Sequence, residues 1–242
     1  MIYKDFIFIH IPKTGGSSIR SSLNKNYDIL YNASKENFKK IGYLNPNENF
    51  EDYDLKIYDF IDHLPYQLIK NKELDKDKYK FTFIRNPFSR AVSLYFEMRN
   101  NNLIRSNKNI SFDEFVDDLD KKQNWFALPM IDYIGIKNIT DMNFIRKFEN
   151  FENDILKLKK KIKISIKHHN FNNHIKSKLK FVDYRTFYSN NKLIDKIYSY
   201  YEKDFAQFDY SYEGFLKFEK HKVKLSTILI RMIKRKLINL TF

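Results

Sequence analysis

Cysteine is missing from the whole 242-residue chain, which excludes a disulfide framework and any thiol chemistry. Glycine and proline are scarce, five each, so no stretch has the composition of a long flexible linker, and no internal repeat is present. No apolar run approaches the roughly 20 residues needed to span a bilayer. The N-terminal MIYKDFIFIHIPK also lacks the basic lead, apolar centre and small-residue cleavage site of a signal peptide. These absences lead to the expectation of a soluble, cytoplasmic protein in a reducing compartment.

What remains is a globular composition, 43% hydrophobic and 17% aromatic, long enough to bury one sizeable core with at most a small appendage. The formal net charge is +14, and most of the cations are lysines in a chain also crowded with Asn, Ile, Phe and Tyr. Nucleotide composition can produce that bias, and solvated lysine faces need no ligand. The charge is uneven: residues 220–242 hold seven Lys/Arg and no Asp or Glu. A main domain over residues 1–219 and a basic C-terminal tail over 220–242 follow from this. A basic body suits acidic partners such as nucleotides, anionic glycans or nucleic acid, and charge alone does not choose among them.

Phe6-Ile7-Phe8-Ile9 is a continuous apolar run ending in a turn, the pattern of a strand buried on both faces of a parallel sheet. A helix is predicted over residues 17–23, with weaker strands over 28–31 and 55–61 and a short helix over 66–70. Residues 79–84 are the next strong strand. Asn86 then caps a helix whose first turn holds Pro87 and which runs to about residue 99. Helices are predicted over 111–119, 125–134, 151–162 and 191–208, and a strand over 143–148. Strands alternating with helices imply an α/β fold with a mainly parallel sheet.

Two turns carry the chemistry. In HIPKTGGSS a strand passes through Lys13, Thr14, Gly15 and Gly16 into a helix that opens with Ser17 and Ser18. Such a turn aims main-chain N–H groups and the positive end of a helix at whatever occupies it. The lysine precedes the glycines, unlike the G-x-x-x-x-G-K-[ST] of nucleoside-triphosphate sites. An ordinary strand-to-helix turn has the same composition, so a second anion-binding feature has to decide. That feature is FTFIRNPFSRAVSLY: Arg85 ends a strand at the sheet edge where open α/β sheets bind ligands, and Ser93 lies about two helical turns on. A guanidinium with a nearby hydroxyl can hold a terminal phosphate. Arg90 is expected to pair on the helix surface and Tyr95 to join the core.

Together the motifs resemble those of sulfotransferases that use 3′-phosphoadenosine 5′-phosphosulfate (PAPS), most closely the branch of uronyl 2-O-sulfotransferases, chondroitin/dermatan-type carbohydrate sulfotransferases and bacterial relatives. FIRKFENFENDILKL and YSYYEKDFAQFDY are similar to later segments of that branch. The resemblance implies a P-loop-NTPase-like three-layer fold with a central parallel sheet flanked by helices. It implies that Lys13, Thr14, Gly15, Gly16, Ser17 and Ser18 bind the 5′-phosphosulfate and that Arg85 and Ser93 bind the 3′-phosphate. No metal-ligand pattern accompanies them.

An acceptor hydroxyl must lose its proton, and the resemblance points to His63 as the base, with Asp62 either orienting it or starting a helix. A carboxylate base is the alternative. His10, just before the loop, is expected to hydrogen-bond the turn. In KHHNFNNHIKSKLK, Asn170 and Lys176 are candidates for a lid or acceptor rim, and a solvated polar loop reads equally well; Gln123 and Asn124 fall near an Asn/Gln segment of the resembled family but depart from its local pattern. The tail puts Lys224, Arg231, Lys234 and Arg235 on one helical face, which fits either a packed helix with a wet basic side or a helix lying on an anionic membrane. The expectation is a bacterial, cytoplasmic, PAPS-dependent sulfotransferase acting on a sugar hydroxyl of a glycan, with no nucleic-acid partner. A P-loop-type kinase and a non-catalytic polyanion binder are the rivals.

Overall fold

A computed structural model describes residues 1, 3, 5–23, 63, 65–66, 77–100, 110–119, 125–163 and 183–212. The strands and helices named below belong to a compact unit spanning Met1–Tyr210; a second unit is Ser211–Phe242. Strands β1 (Phe6–Ile9), β2 (Tyr79–Ile84) and β3 (Phe144–Lys147) form a parallel sheet in the order β1-β2-β3. Every residue of β1 is buried, as its unbroken apolar run requires for a strand covered on both sides.

Alternation divides the core. Phe6, Phe8, Phe81, Phe83 and Phe144 point to one face, where they meet Ile19 and Leu23 of helix α1 (Gly16–Leu23), and also Phe151, Ile155 and Leu158. Ile7, Ile9 and Ile84 point to the other, against Met130, Ile131, Tyr133, Ile134 and Phe208. Helices therefore cover both faces, and the α/β expectation holds. Burying each of these large side chains contributes roughly 1.5–3 kcal/mol.

Helix α2 (Pro87–Asn100) begins where it was predicted, because the Asn86 side chain accepts the main-chain N–H groups of Phe88 and Ser89 at 3.0 and 3.2 Å. Helix α3 (Phe112–Asp118) opens on a reciprocal Ser111–Glu114 capping box. The single helix expected over 125–134 is instead a 3-10 turn, Trp125–Ala127, then a break at Pro129 and helix α4 (Met130–Ile134). Proline has no N–H to continue the ladder. Helix α5 (Phe151–Ile162) follows a 3-10 turn after β3. The long helix expected over 191–208 is two, α6 (Asn191–Tyr200) and α7 (Glu202–Phe208), interrupted at Tyr201.

Among the described residues no helix is long and apolar enough to cross a membrane. The strands expected over 28–31 and 55–61, the residues Asp62, Gln123, Asn124, Asn170 and Lys176, and the tail over 220–242 lie outside the described residues.

Candidate active site

Register decides which side chains can meet. Ile9 pairs with Thr82, and Ile84 pairs with Lys147. Continuing those rows past the strand ends brings Pro12, Arg85 and Phe148 level at the C-terminal rim of the sheet. That is where contacts form: the Arg85 guanidinium lies 4.7 Å from the centre of the Phe148 ring, and its Nη1 donates to the Lys13 carbonyl at 3.1 Å. The two motifs, 72 residues apart, thus share one rim.

The first loop is tight. Lys13 sits at φ 65°, in the left-handed region that a lysine keeps only where its surroundings fix it. The Thr14 hydroxyl turns inward and donates to the Ile11 carbonyl at 2.9 Å, closing the turn. Gly15, at φ 91°, has the conformation glycine favours, and a Cβ there would stand 2.8 Å from the Phe148 ring. Gly16 has a different constraint. It is the first residue of α1, and a Cβ on it would fall 1.8 Å from the His10 ring. Its glycine is needed for room rather than for backbone freedom. Ser17 is exposed and Ser18 half-buried at the start of α1, with the Ser18 N–H donating to the Gly15 carbonyl at 3.2 Å.

Arg85 Nε donates to Ser89 Oγ at 3.0 Å, and its Nη2 has no hydrogen-bond acceptor among the described residues. Burial pushes this guanidinium down to about 10, opposed by the charge of nearby Glu149, so it stays cationic at neutral pH. Glu149 is itself held by the Asn86 N–H at 2.8 Å and the Tyr210 hydroxyl at 3.0 Å. Ser93 lies one turn beyond Ser89 on the same face of α2, half-buried. The hydroxyls of Ser17 and Ser93 have no partner among the described residues. One turn further along that face is Glu97, whose Oε2 accepts from Lys13 Nζ at 2.8 Å.

Arg90 departs from expectation. Rather than pairing on the helix surface it is fully buried: Nε donates to the Pro12 carbonyl at 3.0 Å and Nη1 to the Leu128 carbonyl at 2.9 Å, with a longer contact to Phe126. It fastens the Lys13 loop to the segment before α4. Asp204 grips the same segment by accepting the N–H groups of Met130 and Ile131, each at 2.8 Å, although burial pushes its carboxyl up to about 6. The sequence offered a signal for Arg90, since it shares a face with buried Leu94 four residues on. Tyr95 is in the core as expected, its hydroxyl donating to the Ile110 carbonyl.

The two histidine rings meet at the back of the loop, centroids 4.0 Å apart and tilted by 42°, with Phe126 edge-on to His63. His63 Nδ1 lies 2.7 Å from the His10 carbonyl. A carbonyl only accepts, so Nδ1 carries the hydrogen and Nε2 is the basic nitrogen. The His10 ring does not bond the turn as expected; it packs against Gly16 and Phe8, and its buried Nδ1 has no hydrogen-bond partner among the described residues.

Burial pushes His63 down to about 3, opposed by its bond to His10 and reinforced by the charges of the N-terminal amine, Arg20 and Lys13. Burial lowers His10 as well. Between about pH 3 and the ordinary 6.5, the unfolded chain therefore binds a proton at residue 63 that the folded protein refuses. Stability from this group is complete above 6.5 and is lost as the pH falls. From pH 7.5 to 5.0 the loss is about 2 kcal/mol for one such histidine. Unfolding free energies from urea titrations at the two pH values should converge by that amount in His63→Asn, whose amide can still donate to the His10 carbonyl. An unchanged pH dependence would show that His63 is not held neutral.

The rim so built defines a class: an α/β protein that offers two adjoining cationic turns at the carboxyl ends of parallel strands, where such sheets receive their ligands. Comparison with known proteins then supplies the family. Residues 3–211 match the sulfotransferase family, and the chain belongs to it. Its fold is the P-loop-like one of that family, and the family's reaction is sulfuryl transfer. A protein of Archaeoglobus fulgidus that carries the description "Uncharacterized protein" is 34% identical over 110 residues, covering 41% of this chain and 82% of that protein.

Proposed function

We propose that the protein transfers the sulfuryl group of PAPS to a hydroxyl of a carbohydrate. The observation that carries this reading is the bond from Arg85 to the Lys13 carbonyl, which lets one polyanion be gripped by both turns. The donor set suits such a nucleotide. Lys13, Ser17 and the first N–H groups of α1 face the phosphosulfate end, while Arg85 Nη2 and Ser93 serve the 3′-phosphate. The carbohydrate acceptor rests on the resemblance of the two loops to the uronyl branch, and a cytoplasmic setting on the absence of cysteine.

In this reaction the acceptor oxygen attacks sulfur while the bond from sulfur to the 5′-phosphate oxygen breaks. The electron pair leaves on that phosphate oxygen, where the Lys13 ammonium stabilises the growing charge. The acceptor proton passes to His63 Nε2. A base with a pKa near 3 is weak, but the bound nucleotide's negative charge favours the imidazolium and raises it toward the useful range.

Calorimetry with 3′-phosphoadenosine 5′-phosphate (PAP) and with 5′-AMP, which lacks only the 3′-phosphate, tests the assignment. PAP should bind about 30-fold more tightly, the worth of a good charge-assisted hydrogen bond. Arg85→Ala should erase most of that preference. Equal affinity of the wild-type protein for the two nucleotides would defeat the sulfuryl-transfer reading.

A further inference from the structure

The proposed donor site contains a carboxylate. Glu97 lies on the α2 face that also carries Ser89 and Ser93, four residues apart each time, so it stands about 12 Å along the helix from Ser89. Lys13, with the Arg85 and Glu97 side chains at its two ends, bridges that distance. Its carbonyl is fixed by Arg85 at the Ser89 end, and its ammonium reaches Glu97 at the other. The left-handed backbone of Lys13 is the fixed part of this arrangement, and its side chain is the part that can swing. A negative charge beside a polyanion site is unfavourable unless the site uses it. Both partners remain open to solvent, with 24% of the lysine and 37% of the glutamate side chain exposed, which makes the pair weak and exchangeable.

We propose that Glu97 is a placeholder counter-ion: it holds the Lys13 ammonium in the nucleotide-free protein and yields it to the phosphosulfate when the donor arrives. The inference rests on the sulfuryl-transfer reading, because that reading makes Lys13 the residue a donor must recruit. Glu97 is then a positioning residue. It sets the availability of Lys13 and thereby how tightly the nucleotide binds.

The experiment is calorimetric titration of PAP into the wild-type protein, Glu97→Gln, Lys13→Met and the double variant. Glu97→Gln should tighten PAP binding about fivefold, since the lysine no longer has to leave a partner. In the Lys13→Met background the same change should move the affinity by less than about twofold. A purely structural role for Glu97 would produce neither the tightening nor its dependence on Lys13. Unchanged or weaker binding in Glu97→Gln overturns the placeholder role, as does equal tightening with and without Lys13. Preference for PAP over 5′-AMP in the wild-type protein, combined with either of those results, overturns the placeholder alone. Failure of all four proteins to bind PAP overturns the sulfuryl-transfer reading and the placeholder with it.

Discussion

Lys13→Ala should reduce sulfuryl transfer about 100- to 1000-fold, the scale on which loss of one preorganised donor at a developing charge is felt. Affinity for PAP should fall by less than about tenfold, because the ammonium must first leave Glu97 and so adds little net to ground-state binding. The geometry makes this separation clean. Arg85 bonds to the main-chain oxygen of residue 13, not to its side chain, so the clamp between the two turns survives the substitution. Thr14, Gly15 and the start of α1 keep their own contacts. Transfer of radiolabelled sulfate from PAPS to a panel of desulfated polysaccharides gives the rate, and calorimetry with PAP gives the affinity. A variant that turns over within about tenfold of the wild type would remove Lys13 from the chemistry. A wild-type enzyme that labels small alcohols but none of the polysaccharides would keep the chemistry and discard the carbohydrate acceptor.

How much of this was legible beforehand depends on the range over which each feature is determined. The strands Phe6–Ile9 and Tyr79–Ile84 and the capped start of α2 were readable, because apolar runs and an Asn-Pro cap are local signals. The break at Pro129 was readable too, and a helix drawn through it ignored the missing N–H. The break at Tyr201 has no such mark. There the Tyr201 hydroxyl donates to the Ala127 carbonyl, and Asp204 reaches the N–H groups of Met130 and Ile131, partners more than 70 residues away in the chain. The same limit applies to the site. The two strand-turn-helix motifs marked Lys13 and Arg85 as candidate anion-binding residues, and their sharing of a rim followed from parallel strands. That Glu97 would meet Lys13, 84 residues distant, depends on how α2 lies against the loop. The room that the His10 ring demands at Gly16 left no mark in the sequence, because it depends on how α1 lies over the end of β1.

Arg90→Ala should cost about 4 kcal/mol of stability, a large part of what a domain of this kind possesses. The buried guanidinium satisfies the carbonyls of Pro12 and Leu128 and lies over the Tyr201 ring with its carbon 5.5 Å from the centroid. Truncation leaves those carbonyls in a cavity without donors, each at about 1–3 kcal/mol, and takes a compensating positive charge from buried Asp204. Because the alanine variant risks failing to fold, Arg90→Lys supplies the companion measurement. Its ammonium lacks the planar fork and reaches fewer of the carbonyls, so about 2 kcal/mol should be lost while the fold persists. The functional consequence separates this role from simple packing. With Pro12 no longer tied to Leu128, the Lys13 turn loosens, and PAP binding in Arg90→Lys should weaken about tenfold even at temperatures where the protein is fully folded. Urea titrations and calorimetry on the same samples supply both numbers. A lysine variant that is destabilised yet binds PAP as tightly as the wild type would mean that Arg90 supports the core alone and that the Lys13 turn keeps its shape without it.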